Sequence, residues 1–255
     1  MKIAVCIKQV PTREWQPRLN DDKTWIREAD ASFEMNEPDA YALEEALRLK
    51  EKHGGEVVVC SAGPARVAQV IREALARGAD RALHVEDDSL ASADAFVTSA
   101  ALAGAMKDEQ FDLVLTGLQS DDQGFAQVGV IVAEKLGVAH STIIMEVQVE
   151  GTSLRVKREL EGGWFQWVAM PLPAVLTIQS GINHLRYATL KGIMAAKKKE
   201  IRKSAPSASA SAPKQKIVSL AMPEKSKNTR LIAGSPADAA KELVRTLRED
   251  RRVIS

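Results

Sequence analysis

Short apolar runs alternate with stripes of apolar residues at helical spacing along the first half of the chain. Residues 2–10 (KIAVCIKQV), 56–62 (EVVVCSA), 81–85 (RALHV) and 111–117 (FDLVLTG) are rich in valine and isoleucine and have the texture of strands covered on both faces. Between them lie Leu43, Ala46 and Leu47 beside Ala42 and Leu49, then Val67, Val70, Ile71, Ala74 and Leu75, then an alanine-rich stretch from Ser92 to Met106. Strand and helix alternate in this way four times, which predicts an α/β fold built on a doubly wound, mostly parallel sheet. The turns agree. Pro64 follows a strand at the start of a helix, where its missing N–H costs nothing, and Gly78 and Gly137 stand where helices should stop.

After a further helix carrying Phe125, Val128, Gly129, Val132 and Leu136, the texture changes. STIIMEVQVEGTSLRVKREL (141–160) reads as two strands around a Glu150-Gly151 turn, and WFQWVAM and PAVLTIQ add extended segments, so a β-rich extension follows the parallel sheet. The expected organisation is one α/β domain over 1–203, containing a basic segment at 184–201, and then a linker over 204–216, SAPSASASAPKQK, too small and polar to pack. A C-terminal arm over 217–255 completes it. Its last helix starts at a Ser235 cap and Pro236 and carries Ala240, Leu243, Val244 and Leu247 on one face, needing a surface in this chain or in another subunit.

Composition narrows the classes of function. With 45% hydrophobic residues in 255 and a net charge of +1, the chain buries one sizeable core and lacks the basic domain of a dedicated nucleic-acid binder. No run of eighteen apolar residues occurs and the N-terminus goes straight into a strand pattern, so a cytoplasmic protein is expected. Cys6 and Cys60 sit inside apolar runs and read as buried free thiols, and the four histidines have no ligand-like spacing, so no metal site is expected. A GxSxG elbow and an HExxH motif are both absent, which removes support for hydrolases. One departure from charge balance stands out. Between Arg186 and Lys203 seven basic residues face one acid, Glu200, behind Leu185, Tyr187 and Leu190, which suits a nucleic-acid or membrane patch or a solvated helix end.

Three strand ends carry small or polar residues. GLQSDDQGFAQVG (117–129) follows the fourth strand and opens a helix, where backbone N–H groups hold a phosphate without any lysine and Gly117, Gly124 and Gly129 permit close approach. It lacks the endings of a P-loop and of GxGxxG, and Asp121 and Asp122 equally suit a helix cap. Asn36 and Asp39 either cap the next helix or bond a base or ribose, and SAGPA (61–65) supplies the third end. Their convergence on one sheet edge favours a nucleotide site. In KRELEGGWFQWVAMPLPAVLT, Trp164 and Trp167 either pack at a hairpin edge or, if exposed beside Arg158 and Glu159, suit a subunit interface.

Taken together, KQVP (8–11), EEALRLKEK (44–52), SAGPA with ALARGADRALHV (74–85), GLQSDDQGFAQVG, the KRELEGGW segment and RYATLKGIMAAKKKEI (186–201) resemble the β subunit of electron transfer flavoprotein over most of the chain. The resemblance implies a Rossmann-like sheet of the adenine nucleotide α-hydrolase-like kind. It implies a heterodimer with an α subunit that carries most of the FAD-binding residues, while this subunit buries AMP and performs no substrate chemistry of its own. Electrons would arrive from dehydrogenases such as acyl-CoA dehydrogenases and leave to a membrane quinone reductase or another acceptor. The AMP-contacting positions carried over are Cys6, Asn36, Glu37, Pro38, Asp39, Ala62, Gly117, Leu118, Gln119, Ser120, Asp121, Asp122, Gln123, Gly124, Phe125, Ala126, Gln127 and Val128. Arg158 and Glu159 fall at the subunit interface. Arg186, Tyr187, Leu190, Ile193, Met194, Lys197 and Lys198 fall in the loop that grips electron donors, with Leu190 as the apolar anchor and Lys197, Lys198 and Lys199 as a charged rim.

Some members of that family hold a second FAD in place of AMP and bifurcate electron pairs, with a loop reading D-G-D-T-A-Q-V-G-P. Here Asp122 and Ala126 to Gly129 fit that loop, whereas Gln123, Gly124, Phe125 and Val130 depart from it. Phe125 has no hydroxyl for a diphosphate, which favours AMP. The alternative of another class is a stand-alone adenine-nucleotide-binding enzyme or sensor on the same sheet.

Overall fold

The computed structural model describes residues 1–206, 212–223 and 229–254, so the centre of the expected linker (207–211) and residues 224–228 and 255 of the arm lie outside the described residues. Strand β1 (Lys2–Cys6) is followed by a short hairpin of β2 (Gln9–Pro11) and β3 (Phe33–Met35), helix α1 (Glu37–His53), β4 (Glu56–Gly63), α2 (Ala68–Arg77), β5 (Arg81–Glu86), α3 (Ala95–Met106), β6 (Leu113–Gly117) and α4 (Val128–Leu136). Then come β7 (Ala139–Glu150), β8 (Ser153–Glu159), β9 (Phe165–Pro171), β10 (Ala174–Ile178), the short helix α5 (Leu190–Ala196), β11 (Ile201–Ser204) and α6 (Pro236–Arg245). The four predicted strand–helix alternations are all present.

Among the described residues the main sheet has nine strands in the order β11-β5-β4-β1-β6-β10-β7-β8-β9. Neighbours from β11 to β7 are parallel, and β7-β8-β9 form an antiparallel meander. Alternation along each parallel strand sorts its side chains to two helix layers. Ile3 and Val5 of β1 join Leu43 of α1 and Ile71 of α2 in one cluster, while Ala4 and Cys6 join Leu102 of α3 and Val132 of α4 in another. The chain first builds away from β1 toward β5 and then restarts at β6 on the other side. The carboxyl ends of β1 and β6 are therefore the switch point at which such sheets open a crevice.

Three features differ from the sequence reading. Strand β10 does not extend the meander but returns between β6 and β7, a place that suits a segment buried at every position. The basic stretch does not finish as a solvated helix end, because Ile201–Ser204 pairs in parallel with β5 as an edge strand, and its exposed Arg202 and Lys203 blunt that edge. The hairpin of β2 and β3 was not expected at all. The chain divides into two compact units, Met1–Leu220 and Ala221–Ser255. In the second unit the Ser235 hydroxyl accepts from Asp238 N and Pro236 opens α6, as the sequence predicts.

At the edge opposite the crevice, Glu109 fastens the amino ends of three strands. Its carboxylate accepts from Lys2 Nζ (2.8 Å), Arg81 Nη2 (2.7 Å) and Arg202 Nη2 (2.6 Å), on β1, β5 and β11. The hydrogen bond from Arg81 is the largest influence holding this nearly buried carboxyl down at about 2. A depressed acid contributes stability that is present above its ordinary value and lost as pH falls through the folded value. Glu109→Gln should therefore cost up to about 3 kcal/mol at neutral pH in chemical denaturation, with the gap to wild type closing between about pH 4.5 and 2. A gap that persists at the acid end would assign the loss to packing rather than to charge.

Candidate functional site

At the crevice, one buried carboxylate joins two strand ends. Asp39, on the first turn of α1, accepts from Gly117 N at the end of β6 (2.9 Å) and from Lys8 N just past β1 (2.7 Å). Strands diverging at a switch point leave N–H groups without ladder partners, and Asp39 supplies acceptors for both. The approach is so close that a Cβ on Gly117 would overlap this carboxylate and lie 2.7 Å from Pro38 Cβ. Burial pushes the Asp39 carboxyl up to about 7, against the pull of the N–H donors of Lys8 and Gly117, the Asn36 side chain and the Lys8 charge.

Asn36 stands at the cap position of α1 but bonds elsewhere. Its amide donates to Gln119 O (3.0 Å) and accepts from Asp121 N (2.9 Å), pinning the loop after β6. Within that loop Gly124 (φ 65°) and Ala126 (φ 55°) both take the left-handed region, unusual for alanine, and turn the chain into α4. Helix α4 begins at Val128 beside the crevice, with no side-chain cap from Gln127. The aspartates do not cap it, contrary to one sequence reading. Asp122 pairs with Lys8 Nζ (2.7 Å), and Asp121 lies 3.6 Å from Arg13 and accepts from Glu37 N at the start of α1.

Lys8, which the sequence reading did not single out, also reaches the cleft. Lys8 extends its ammonium to Ser120 Oγ (3.3 Å), Asp122 Oδ1 and Gln123 Oε1 (3.1 Å), because the second residue after β1 emerges at the carboxyl edge facing the loop. Of the positions read from the sequence, Cys6, Asn36, Asp39, Ala62, Gly117, Leu118, Gln119, Ser120, Gln123, Phe125, Ala126, Gln127 and Val128 line one cleft. Glu37, Pro38, Asp121, Asp122 and Gly124 stand behind it: Glu37 pairs with Arg13, and Pro38 is buried against Gly117. Leu90, Ala91, Ala93 and Thr98 also line the cleft and were missed. The signal available was their place after β5, whose carboxyl end shares the edge. Cys6 and Cys60 are buried and unpaired, and burial first, then the nearby Asp39, raises the Cys6 thiol to about 12, so it offers no nucleophile. Among the described residues no group of three or more His, Cys, Asp or Glu is placed to hold a metal ion, and no helix is long and apolar enough to cross a membrane.

A second surface lies on α5. Thr189 Oγ1 accepts from Gly192 N to cap this seven-residue helix, and Leu190, Ile193 and Met194, at i, i+3 and i+4, are 76%, 46% and 63% exposed on one side. Tyr187 is exposed beside them, as are Lys197 and Lys198. Two cations of the stretch are placed otherwise than expected. Arg186 turns back to α1, bonding Glu44 in a bidentate pair (2.7 and 3.0 Å) and Glu51 (2.6 Å), and Lys199 turns inward and leaves the rim to Lys197 and Lys198. Trp164 is 74% exposed on the meander, with Phe165 and Trp167 beside it under Lys157 and Arg155. Arg158 reaches Thr142 Oγ1 while its buried Nε has no partner among the described residues, and Glu159 accepts from Gln179.

Comparison with known proteins meets this geometry from another side. A family model described as electron transfer flavoprotein domain matches residues 24–209. Named electron transfer flavoprotein subunit beta are a protein of Methylophilus methylotrophus, 37% identical over 98% of this chain and 98% of its own length, and one of Bacillus subtilis, 37% identical over 90% and 91%. A third of that name, from Thermoanaerobacterium thermosaccharolyticum, is 42% identical over 79% of this chain and 77% of its own.

The Asp39 carboxyl yields a pH test. An acid whose folded value is raised contributes stability that is complete below its ordinary value and is lost as pH climbs through the folded value. Asp39→Asn, which cannot ionise, carries a fixed hydrogen-bond cost but should gain on wild type by up to about 4 kcal/mol between about pH 4 and 8 in denaturation curves. A difference independent of pH would show the two backbone donors keeping the carboxylate ionised throughout.

Proposed function

The chain belongs to the electron transfer flavoprotein family, among its β subunits, and from that footing we propose that it is one half of an αβ electron carrier of the cytoplasm. In this reading it accepts electrons from flavin dehydrogenases such as acyl-CoA dehydrogenases and passes them to a membrane quinone reductase or another acceptor. Its own residues hold AMP and steady the FAD of the α subunit. The flavin supplies the electron chemistry when bound, and no side chain of this subunit reacts.

The observation that carries the reading is the cleft at the switch point, where thirteen of the positions carried over for AMP meet. Its donor set suits a phosphorylated nucleoside: the first turn of α4 has no side-chain cap, and the Ser120 hydroxyl lies beside the Lys8 ammonium, whose charge Asp122 balances. Asn36 holds the loop in place through its side-chain amide, and the small Ala62 leaves room beside an apolar wall. Phe125, in the lining, has no hydroxyl to offer a diphosphate, which supports AMP over a second FAD. For the α subunit, the exposed Trp164, Phe165 and Trp167 form a surface suited to a large, permanent interface. For the donor, the apolar side of α5 with Lys197 and Lys198 at its rim has the form of an anchor within a charged collar.

The direct test is to express the chain with its α subunit, record the flavin spectrum and identify the nucleotides released on denaturation. One FAD and one AMP per heterodimer are expected; two FAD would select the bifurcating variant, and a monomer without nucleotide would overturn the reading. For docking, Leu190→Ala should lower kcat/KM for electron acceptance about 30-fold, equivalent to about 2 kcal/mol, with the flavin spectrum unchanged. Loss of flavin in that variant would place Leu190 in the fold rather than in the contact.

A further inference from the structure

Helix α5 is ordered although it has little reason of its own to be. It spans seven residues, well short of the ~12–15 at which isolated helices become even marginal in water, and it buries only Ala196. Its apolar residues point outward. Order must come from its backbone, and the contacts that supply it come from α2.

Arg72, on α2, directs Nη1 to two carbonyls at the end of α5, Ala196 O (2.6 Å) and Lys199 O (2.8 Å). Lys199 returns the contact: its ammonium donates to Leu75 O (3.0 Å) and Ala79 O (2.6 Å), at the end of α2. Each helix thus receives from the other a cation at its carboxyl end, where terminal carbonyls lack partners and the helix dipole is negative. Between the two, Gly192 lies against α2 so closely that a Cβ there would overlap Ala76 O. This contact uses polar groups and a glycine, and it leaves Leu190, Ile193 and Met194 free of the core.

We propose that Arg72 and Lys199 are positioning residues for donor docking, a reciprocal clamp that sets the apolar side of α5 in its binding orientation before the partner arrives. The proposal rests on the docking role given to α5 above. A partner meeting a fixed helix does not have to order it, and that saving appears as affinity. Neither side chain needs to touch the partner, whose matching surface would be an apolar depression with acidic groups at its rim, opposite Lys191, Lys197 and Lys198.

The test uses the αβ holoprotein and a donor dehydrogenase in excess, comparing Arg72→Gln, Lys199→Met, Gly192→Ala and Leu190→Ala. The clamp variants should raise KM for the donor about tenfold while kcat at saturation stays within about twofold, because ordering enters binding and not transfer. FAD and AMP content should be unchanged, amide exchange over 190–196 should quicken, and the salt dependence of association should stay as in wild type because Lys191, Lys197 and Lys198 remain. Arg72→Lys, which keeps a donor, should recover part of the affinity. Gly192→Ala leaves both cations in place and should weaken docking by the same route, so a folding failure of one clamp variant does not remove the test. If Leu190→Ala raises KM and the clamp variants do not, the clamp is overturned and docking stands. If Leu190→Ala also leaves KM unchanged, the docking role fails, and the clamp proposal with it.

Discussion

The hydrogen bonds from Lys8 and Gly117 to the Asp39 carboxylate are the constraint from which the cleft takes its shape. A doubly wound sheet must part its strands where the winding reverses, and the N–H groups on either side then face inward without partners. A water-filled gap would satisfy them but leave a loose site. Asp39 satisfies them from the first turn of α1, so helix, β1 and β6 become one rigid corner. The same carboxylate dictates glycine at 117, since only a residue without a Cβ lets α1 come so near. A buried acid at this corner ties the geometry of the site to its protonation.

Helix α1 then links that corner to the segment before α5. Its first turn holds the Asn36 and Asp39 contacts, and further along Glu45 accepts from Asn183 (3.1 Å) while Glu44 and Glu51 grip Arg186. Seventeen residues at about 1.5 Å each make a strut of roughly 25 Å, stiff along its axis, with polar contacts at its first turn and along its length in addition to its apolar burial. The segment leading to α5 is thereby anchored to the element that frames the cleft. On the far side of α5, Arg202 and Lys203 fasten β11 to Glu109 and Glu86. The short helix is held before, beneath and after.

Much of this was legible in the sequence for reasons that can be named. Strands covered on both faces must be apolar throughout, so β1, β4, β5 and β6 announced themselves, and Pro64, Gly78 and Gly137 marked turns through backbone geometry that few residues share. The strand ends pointed to one cleft because parallel winding puts them on one edge. What remained hidden depended on partners distant in the chain. PAVLTIQ reads the same whether it extends a meander or returns to the centre of the sheet. Lys8 looks like any polar residue after a strand, and Leu90, Ala91 and Thr98 carry no chemical mark until β5 places them at the cleft.

The basic stretch shows the same limit most sharply, because charge is written in the sequence but its neutralisation is not. Of the seven cations from Arg186 to Lys203, Arg186 is held by Glu44 and Glu51, Arg202 by Glu109, Lys203 by Glu86, and Lys199 by carbonyls of α2 and its connection to β5. Those four serve the fold, and their fields are largely cancelled within a few ångströms by acids and carbonyl dipoles of the same chain. Lys191, Lys197 and Lys198 remain exposed, grouped at one short helix around an apolar side. A patch so reduced is too small to bind a polyanion through many simultaneous phosphate contacts. It is sufficient to orient an approaching surface that carries its own acidic rim, within the ~8–10 Å over which charges act at physiological salt. Composition alone suggests a charged segment; the pairing within the chain leaves three exposed lysines around the apolar side of α5.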